Sequence, residues 1–210
     1  METEVAKKLF TVDEYLRMGE AGIFDPEARL ELIEGEIIEM SPVGDRHVIC
    51  VNRATALFSA RLAGKAMVSV QNPVRLSRYT EPQPDILLAP WRDDFYAWKR
   101  LSAEHALLVI EISDTTIRYD RNRKMPLYAK AGVRELWIEN LQDDVILVYR
   151  NPGAETFATS LTFKRARVSF PYSFSGDRFY CRRITWITAA SRRIAPQKRR
   201  RVDASKSRTW

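Results

Sequence analysis

Two short apolar runs constrain this chain most. Asp85-Ile-Leu-Leu-Ala89 and Ala106-Leu-Leu-Val-Ile-Glu-Ile112 are strand-sized. The first is continuously apolar after its Asp and the second is broken only by Glu111. Such strands must be covered on both faces, so they belong inside a sheet with helices packed against it. Each run also carries a carboxylate at one end, Asp85 opening the first and Glu111 near the close of the second. A carboxylate at the end of a buried strand is costly unless it is paired or binds a cation. Two of them meeting at one rim of a sheet make an oxygen-rich site suited to Mg²⁺ or Mn²⁺.

The rest of the chain supplies the covering layers. Thr11 with Glu14 three residues on forms a capping box, and Val12, Tyr15, Leu16 and Met18 make one apolar stripe. Leu30, Leu32, Ile37 and Met40 flank Glu34-Gly35, the pattern of a hairpin with a glycine-containing turn. Val48, Val51, Ala54, Leu57, Phe58 and Leu62 predict a helix from Asp45 to Leu62, Asp45 suiting its first turn or cap. Val68, Val70, Val74 and Leu76 then alternate with polar residues, Pro73 marking a bend or an edge. Residues 91–105 read as a loop with a short helix, and Trp91, Phe95, Tyr96 and Trp98 as core material, a partner-binding surface being the alternative.

Pro126 to Ala131 predicts a short helix closed by Gly132, with Lys124 at or just before its start. Asp143-Asp144 turns the chain into a terminal hairpin between 135–139 and 145–149. Beyond about Pro171 there is no dependable periodicity, and no internal repeat is present. The sum is an α/β or α+β domain: a mixed sheet, flanking helices and an early hairpin.

Lys124 points toward the strand ends if the crossover helix packs back on the sheet, and a lysine there can stabilise charge on a scissile phosphate. Bland readings stand beside this one. Asp85 after Pro84 also reads as a turn or cap residue, Glu111 as a strand end in solvent. Lys124 then belongs to a wet basic helix start with Arg118, Arg121 and Arg123.

Charge is unevenly divided. Residues 182–210 hold 10 Lys and Arg against one acid, Asp203; subtracting these from 34 and 27 leaves 24 basic and 26 acidic residues, a net of −2. The overall +7 therefore comes from the tail. That tail reads either as a nucleic-acid-directed arm or as a solvated, disordered terminus. Cys50 and Cys181 form no CxxC, and with two His they are too few for a zinc site or a disulfide scaffold. The apolar runs are too short to span a membrane and no secretory leader is evident, so a cytoplasmic protein is expected.

Several stretches together resemble one known family. They are Glu31-Leu-Ile-Glu-Gly-Glu-Ile-Ile-Glu-Met-Ser-Pro followed by His47, Ser69-Val-Gln-Asn-Pro-Val-Arg-Leu-Ser, Glu81-Pro-Gln-Pro-Asp-Ile, Val109-Ile-Glu-Ile-Ser-Asp, and the run from Tyr119 to Ile138. The chain is similar over about residues 8–165 to the restriction-endonuclease-like family, once catalogued as a domain of unknown function, within the PD-(D/E)xK nuclease superfamily. The resemblance implies a restriction-endonuclease-like core with a divalent metal at its rim, and a nuclease domain over 8–170 followed by a basic tail over 171–210. Asp85 matches the Asp of the PD motif and Glu111 the first acid of (D/E)xK, the two implied metal ligands. Ser113 stands where that motif has its lysine, which in this family corresponds to Lys124 on the following helix. Glu31 matches a further acidic position facing the site. His47 matches a frequent family histidine, with a cap or surface role as the alternative. Glu34, Glu36 and Asp120 are expected to be solvent-facing or structural. Relatives finish with a short apolar strand and helix, so the basic, Trp-ended terminus is either a genuine extension or the product of a shifted reading frame.

The expected activity is metal-dependent endonucleolytic hydrolysis of DNA. Asp85 and Glu111 hold Mg²⁺ or Mn²⁺, with the Ile112 carbonyl as a further ligand, Lys124 supports the nucleophile or transition state, and Glu31 meets the metal's waters. DNA is the expected partner, and a homodimer suits cleavage of both strands. The alternative is a catalytically silent nucleic-acid-binding or protein-interaction module on the same fold. A Ser/His/Asp hydrolase is disfavoured because no G-x-S-x-G elbow is present.

Overall fold

Strand and helix positions follow from local rules over most of the chain. A computed structural model describes residues 5–164; the tail expected over 171–210 lies outside the described residues. Helix α1 (Val12–Glu20) starts at Thr11, whose hydroxyl accepts from the Glu14 N–H while the Glu14 carboxylate accepts from the Thr11 N–H. Strands β1 (Leu30–Ile33) and β2 (Glu36–Glu39) then form the early hairpin. Its two turn residues, Glu34 and Gly35, both have positive φ, the geometry that matches the strands' twist. Helix α2 (Asp45–Leu62) begins after Gly44, so Asp45 sits in the first turn and not at the cap.

The main sheet has six strands in sequential order: β3 (Ala66–Val70), β4 (Ile86–Pro90), β5 (Leu108–Ser113), β6 (Glu135–Asn140), β7 (Val145–Pro152) and β8 (Phe157–Lys164). All neighbours are antiparallel except β5 and β6, whose parallel pairing requires a crossover. The crossover is helical: α3 (Ile117–Tyr119), a wide turn (Asp120–Lys124) and α4 (Met125–Lys130). In that turn the Met125 N–H donates to the Asp120 carbonyl, five residues back. Pro126 explains the widening. It has no N–H for the carbonyl four residues before it, and its ring would crowd that carbonyl in a regular helix.

The sheet is covered on both faces, and strand parity decides which residue meets which layer. Ile86, Leu88, Leu108, Ile110 and Ile112 pack with Cys50, Val51 and Phe58 of α2. Leu87, Ala89 and Val109 pack with Tyr128 and Ala129 of α4 and with Leu136 and Ile138 of β6. Glu111 shares the parity of Val109 and therefore belongs to the crossover face.

Three expectations need correction. Val74 and Leu76 do not extend β3, which ends at Val70; residues 71–85 form a loop that leads to β4. The 145–149 strand does not end the sheet, because β8 pairs with it. Phe157, Thr159, Leu161 and Phe163 carry that strand's alternation. The aromatic segment 91–98 is divided, with Tyr96 buried but Trp91, Phe95 and Trp98 exposed. Its expected short helix is reduced to one 3₁₀ turn, Ala103–His105.

Glycine at 35 is fixed twice, by φ +81° and by space, since a Cβ there would sit 2.6 Å from the Leu9 Cβ. Gly22 has φ +70° but nothing within 4 Å. Gly22→Ala is expected to cost about 1 kcal/mol of strain and Gly35→Ala roughly 1–3 kcal/mol more. Urea denaturation midpoints check the order, and equal costs would contradict it.

Candidate active site

The β4–β5 register sets the two carboxylates side by side. Ile86 pairs with Ile110, and the same register carried one residue further puts Asp85 opposite Glu111. The Asp85 Oδ2 accepts from the Ile112 N–H at 2.8 Å, tying the loop before β4 to the end of β5. Its Oδ1 lies 3.0 Å from His47 Nε2 on the first turn of α2 and accepts from Gln71 Nε2 at 3.3 Å. Burial pushes the Asp85 carboxyl up, but His47, Ile112 and Gln71 outweigh it and hold the group below its ordinary value.

Lys124 joins the other two acids. Its ammonium is 2.7 Å from Glu111 Oε1 and 3.1 Å from Glu31 Oε1, and all three side chains are buried. Glu31 comes from β1, which the backbone ties to the loop before β4 through reciprocal bonds between Leu32 and Glu81. The Gln83 N–H donates to the same Glu31 oxygen at 2.8 Å. Tyr128, one helical turn beyond Lys124, donates its hydroxyl to Glu111 Oε1 at 2.6 Å. Thus the hairpin, the loop, β5 and the crossover helix all meet at this point.

Burial is the chief force raising Glu111, to about 8, with Asp120, Asp85 and Glu31 adding to it against the charge of Lys124. Burial works to lower Lys124, but Glu111, Glu31 and Asp120 outweigh it and hold the ammonium protonated. The crowding of several carboxylates around one lysine raises Lys124 and adds to the effect of burial on Glu111. Asp120 is buried and structural, accepting from the Ser113 and Thr116 hydroxyls at 2.6 and 2.7 Å. Glu34 and Glu36 stand apart, near Arg123 at the hairpin turn.

Among the described residues, no three His, Cys, Asp or Glu side chains form a ready-made metal cage. The donor set still fits a hard divalent ion, which takes one or two carboxylates and keeps several waters. Glu31 Oε2 is buried with no hydrogen-bond partner, and the group as a whole is rich in negative charge. Asp85, Glu111 and Ile112 line one narrow cleft with Glu31, His47 and Lys124. Sequence reasoning left His47 open between site and surface and did not find Gln71 or Tyr128. The four-residue spacing from Lys124 is the one signal that could have pointed to Tyr128.

Residues 12–172 match the family model Uma2, described as "Putative restriction endonuclease". The chain belongs to this family. Among solved structures, the Uma2 chain is similar to "a putative nuclease belonging to DUF820" from Anabaena variabilis ATCC 29413. The TM-score is 0.58 at 19% identity, over 77% of this chain and 89% of that one, which shows a shared fold. No curated protein matches. No helix among the described residues is long and apolar enough to cross a membrane.

Lys124→Met would leave Glu31 and Glu111 buried without their counter-charge, a loss of roughly 3–5 kcal/mol in urea denaturation; a loss under about 1 kcal/mol contradicts this pairing. The raised Glu111 pKa also has a sign. Its contribution to stability is complete below its ordinary 4.5 and is lost as pH rises toward about 8. The stability of Glu111→Gln relative to wild type should therefore climb from pH 5 to pH 8 in EDTA. A flat difference would mean that Glu111 is ionised throughout.

Proposed function

We propose that this Uma2 protein is a metal-dependent endonuclease that hydrolyses DNA phosphodiester bonds, with Asp85 and Glu111 holding Mg²⁺ or Mn²⁺. The observation that carries the reading is the Lys124 ammonium at 2.7 Å from Glu111, on the strand whose next N–H binds Asp85. A cation and two acids from separate elements are thereby brought to one sheet rim, and family membership supports the same chemistry.

Each residue has a task that follows from its contacts. A divalent ion, when bound, neutralises phosphate charge and makes water a better nucleophile at neutral pH. Lys124 supplies a fixed positive charge beside the scissile phosphate and is already protonated and oriented, so no reorganisation is needed as charge develops. Glu31 bonds Lys124 through Oε1, and its buried Oε2, without a hydrogen-bond partner among the described residues, would serve the waters of a bound ion. His47 and Gln71 fix the Asp85 carboxylate, and Tyr128 fixes Glu111. The Ile112 carbonyl would be a further ligand of that ion. Residues 182–210, with 10 Lys and Arg, provide the phosphate-directed attraction that a body of net charge −2 lacks.

Asp85→Asn is expected to abolish Mn²⁺-dependent nicking of plasmid DNA while the protein stays folded. The wild type should melt at a higher temperature as Mg²⁺ or Mn²⁺ is added, because the ion binds only the native state. The Asp85→Asn protein should lose most of that rise. Equal cleavage by the two proteins would sink the assignment.

A further inference from the structure

A second concave surface runs along the free edge of the main sheet. It is a groove of about 640 Å³ whose floor includes Met67 and Ser69 of β3, the edge strand. One wall is the segment 91–101, and it presents Trp91, Phe95, Lys99 and Arg100. Among the described residues, no Asp or Glu lines the groove. Of the acids beside the wall, Asp93 accepts from the Trp91 indole N–H and Asp94 is paired with Arg92.

The wall is built to hold its aromatic rings outward. Phe95 and Tyr96 are consecutive non-glycine residues at positive φ, 47° and 61°. The strain is sustained by Tyr96, whose ring is buried and whose hydroxyl donates to the Pro90 carbonyl at 3.0 Å. As a result Phe95 is 60% exposed and stacks edge-on against Trp91, itself 40% exposed, at 5.3 Å. Backbone strain beside exposed large apolar rings is a feature of ligand-binding surfaces.

The ligand's chemistry follows from the lining. Flat rings at the mouth with ammonium and guanidinium groups beside them suit a polyanion with π-faces. We propose that this groove binds a single-stranded stretch of nucleic acid, its bases stacking on Trp91 and Phe95 and its phosphates meeting Lys99 and Arg100. The inference rests on the nuclease reading and extends it to how substrate is held. Gln71, which bonds Asp85, lies between Ser69 and Asn72, both of which line the groove. The end of the groove at Ser69 and Asn72 is therefore the one next to Asp85, while Trp91 follows the opposite end of β4. Lys99 and Arg100 have acidic neighbours, Glu104 at 3.2 Å and Glu81 at 3.7 Å. Both cations are more than half exposed, so phosphate can share them at little cost.

The test is fluorescence anisotropy of a labelled oligothymidylate with the full chain in EDTA, where the basic tail is common to every variant. Phe95→Ala and Trp91→Ala are each expected to weaken binding about five- to tenfold or more, the worth of one stacked base. Lys99→Ala should weaken it and reduce the slope of log affinity against log salt by roughly 0.7. Lys99 is exposed, so that variant keeps the test valid should an aromatic variant fail to fold. Wild-type affinity in all folded variants overturns the proposal. So does unchanged oligonucleotide binding together with a dimer-to-monomer change in sedimentation, which would assign the groove to a second copy of this chain. Cleavage retained by Asp85→Asn defeats the catalytic reading without altering these binding results, so the two failures are distinguishable.

Discussion

The arrangement depends on one buried ammonium shared by two buried carboxyl groups. Lys124, Glu31 and Glu111 are each about 3–5% exposed, and they come from the crossover helix, the early hairpin and β5. Burying three ionisable groups is expensive, and a hydrophobic trio of similar volume would stabilise the fold at least as well. Stability alone does not account for the choice. What the trio does is dictate position: β1 must lie against the loop before β4, and the helix must turn its Lys124 face to the end of β5. The wide turn ahead of Pro126 belongs to the same constraint, since Asp120 and Lys124 are its buried residues. A helix distorted at the point where it delivers its charge is a pattern common at functional sites.

Much of the scaffold was legible because short-range chemistry decides it. The Thr11–Glu14 capping box, the Glu34-Gly35 turn and the apolar run after Asp85 each specify local geometry and little else. Lys124, Glu31, Asp85 and Glu111 drew attention because their residue types conflict with burial or fit a known family's motif. His47 carried no such conflict. A histidine on the first turn of an amphipathic helix is as compatible with solvent as with a cleft, and only tertiary packing turns it toward Asp85. Strand β8 was missed although its alternation is clear, because its inward positions mix Thr with Leu and Phe. The aromatic segment fails the usual inference for a different reason: positive φ at Phe95 and Tyr96 sends neighbouring rings in opposite directions, and nothing in residue type announces that.

Volume and charge account for a small residue at position 113 and a lysine on the crossover helix. Ser113 lies two residues beyond Glu111 on the same face of β5, where the superfamily motif places a lysine. Here that position is fully buried, and the Ser113 hydroxyl is committed to Asp120 at 2.6 Å. A lysine side chain there would have to displace Asp120 from its two hydroxyl donors. It would also bring a second ammonium toward Lys124. With a small residue on the strand, the helix can approach closely enough for its own lysine to reach Glu111 from the other side. The positive charge reaches the strand-end carboxylates from the helix, and a motif written only as spacing along one strand cannot express that.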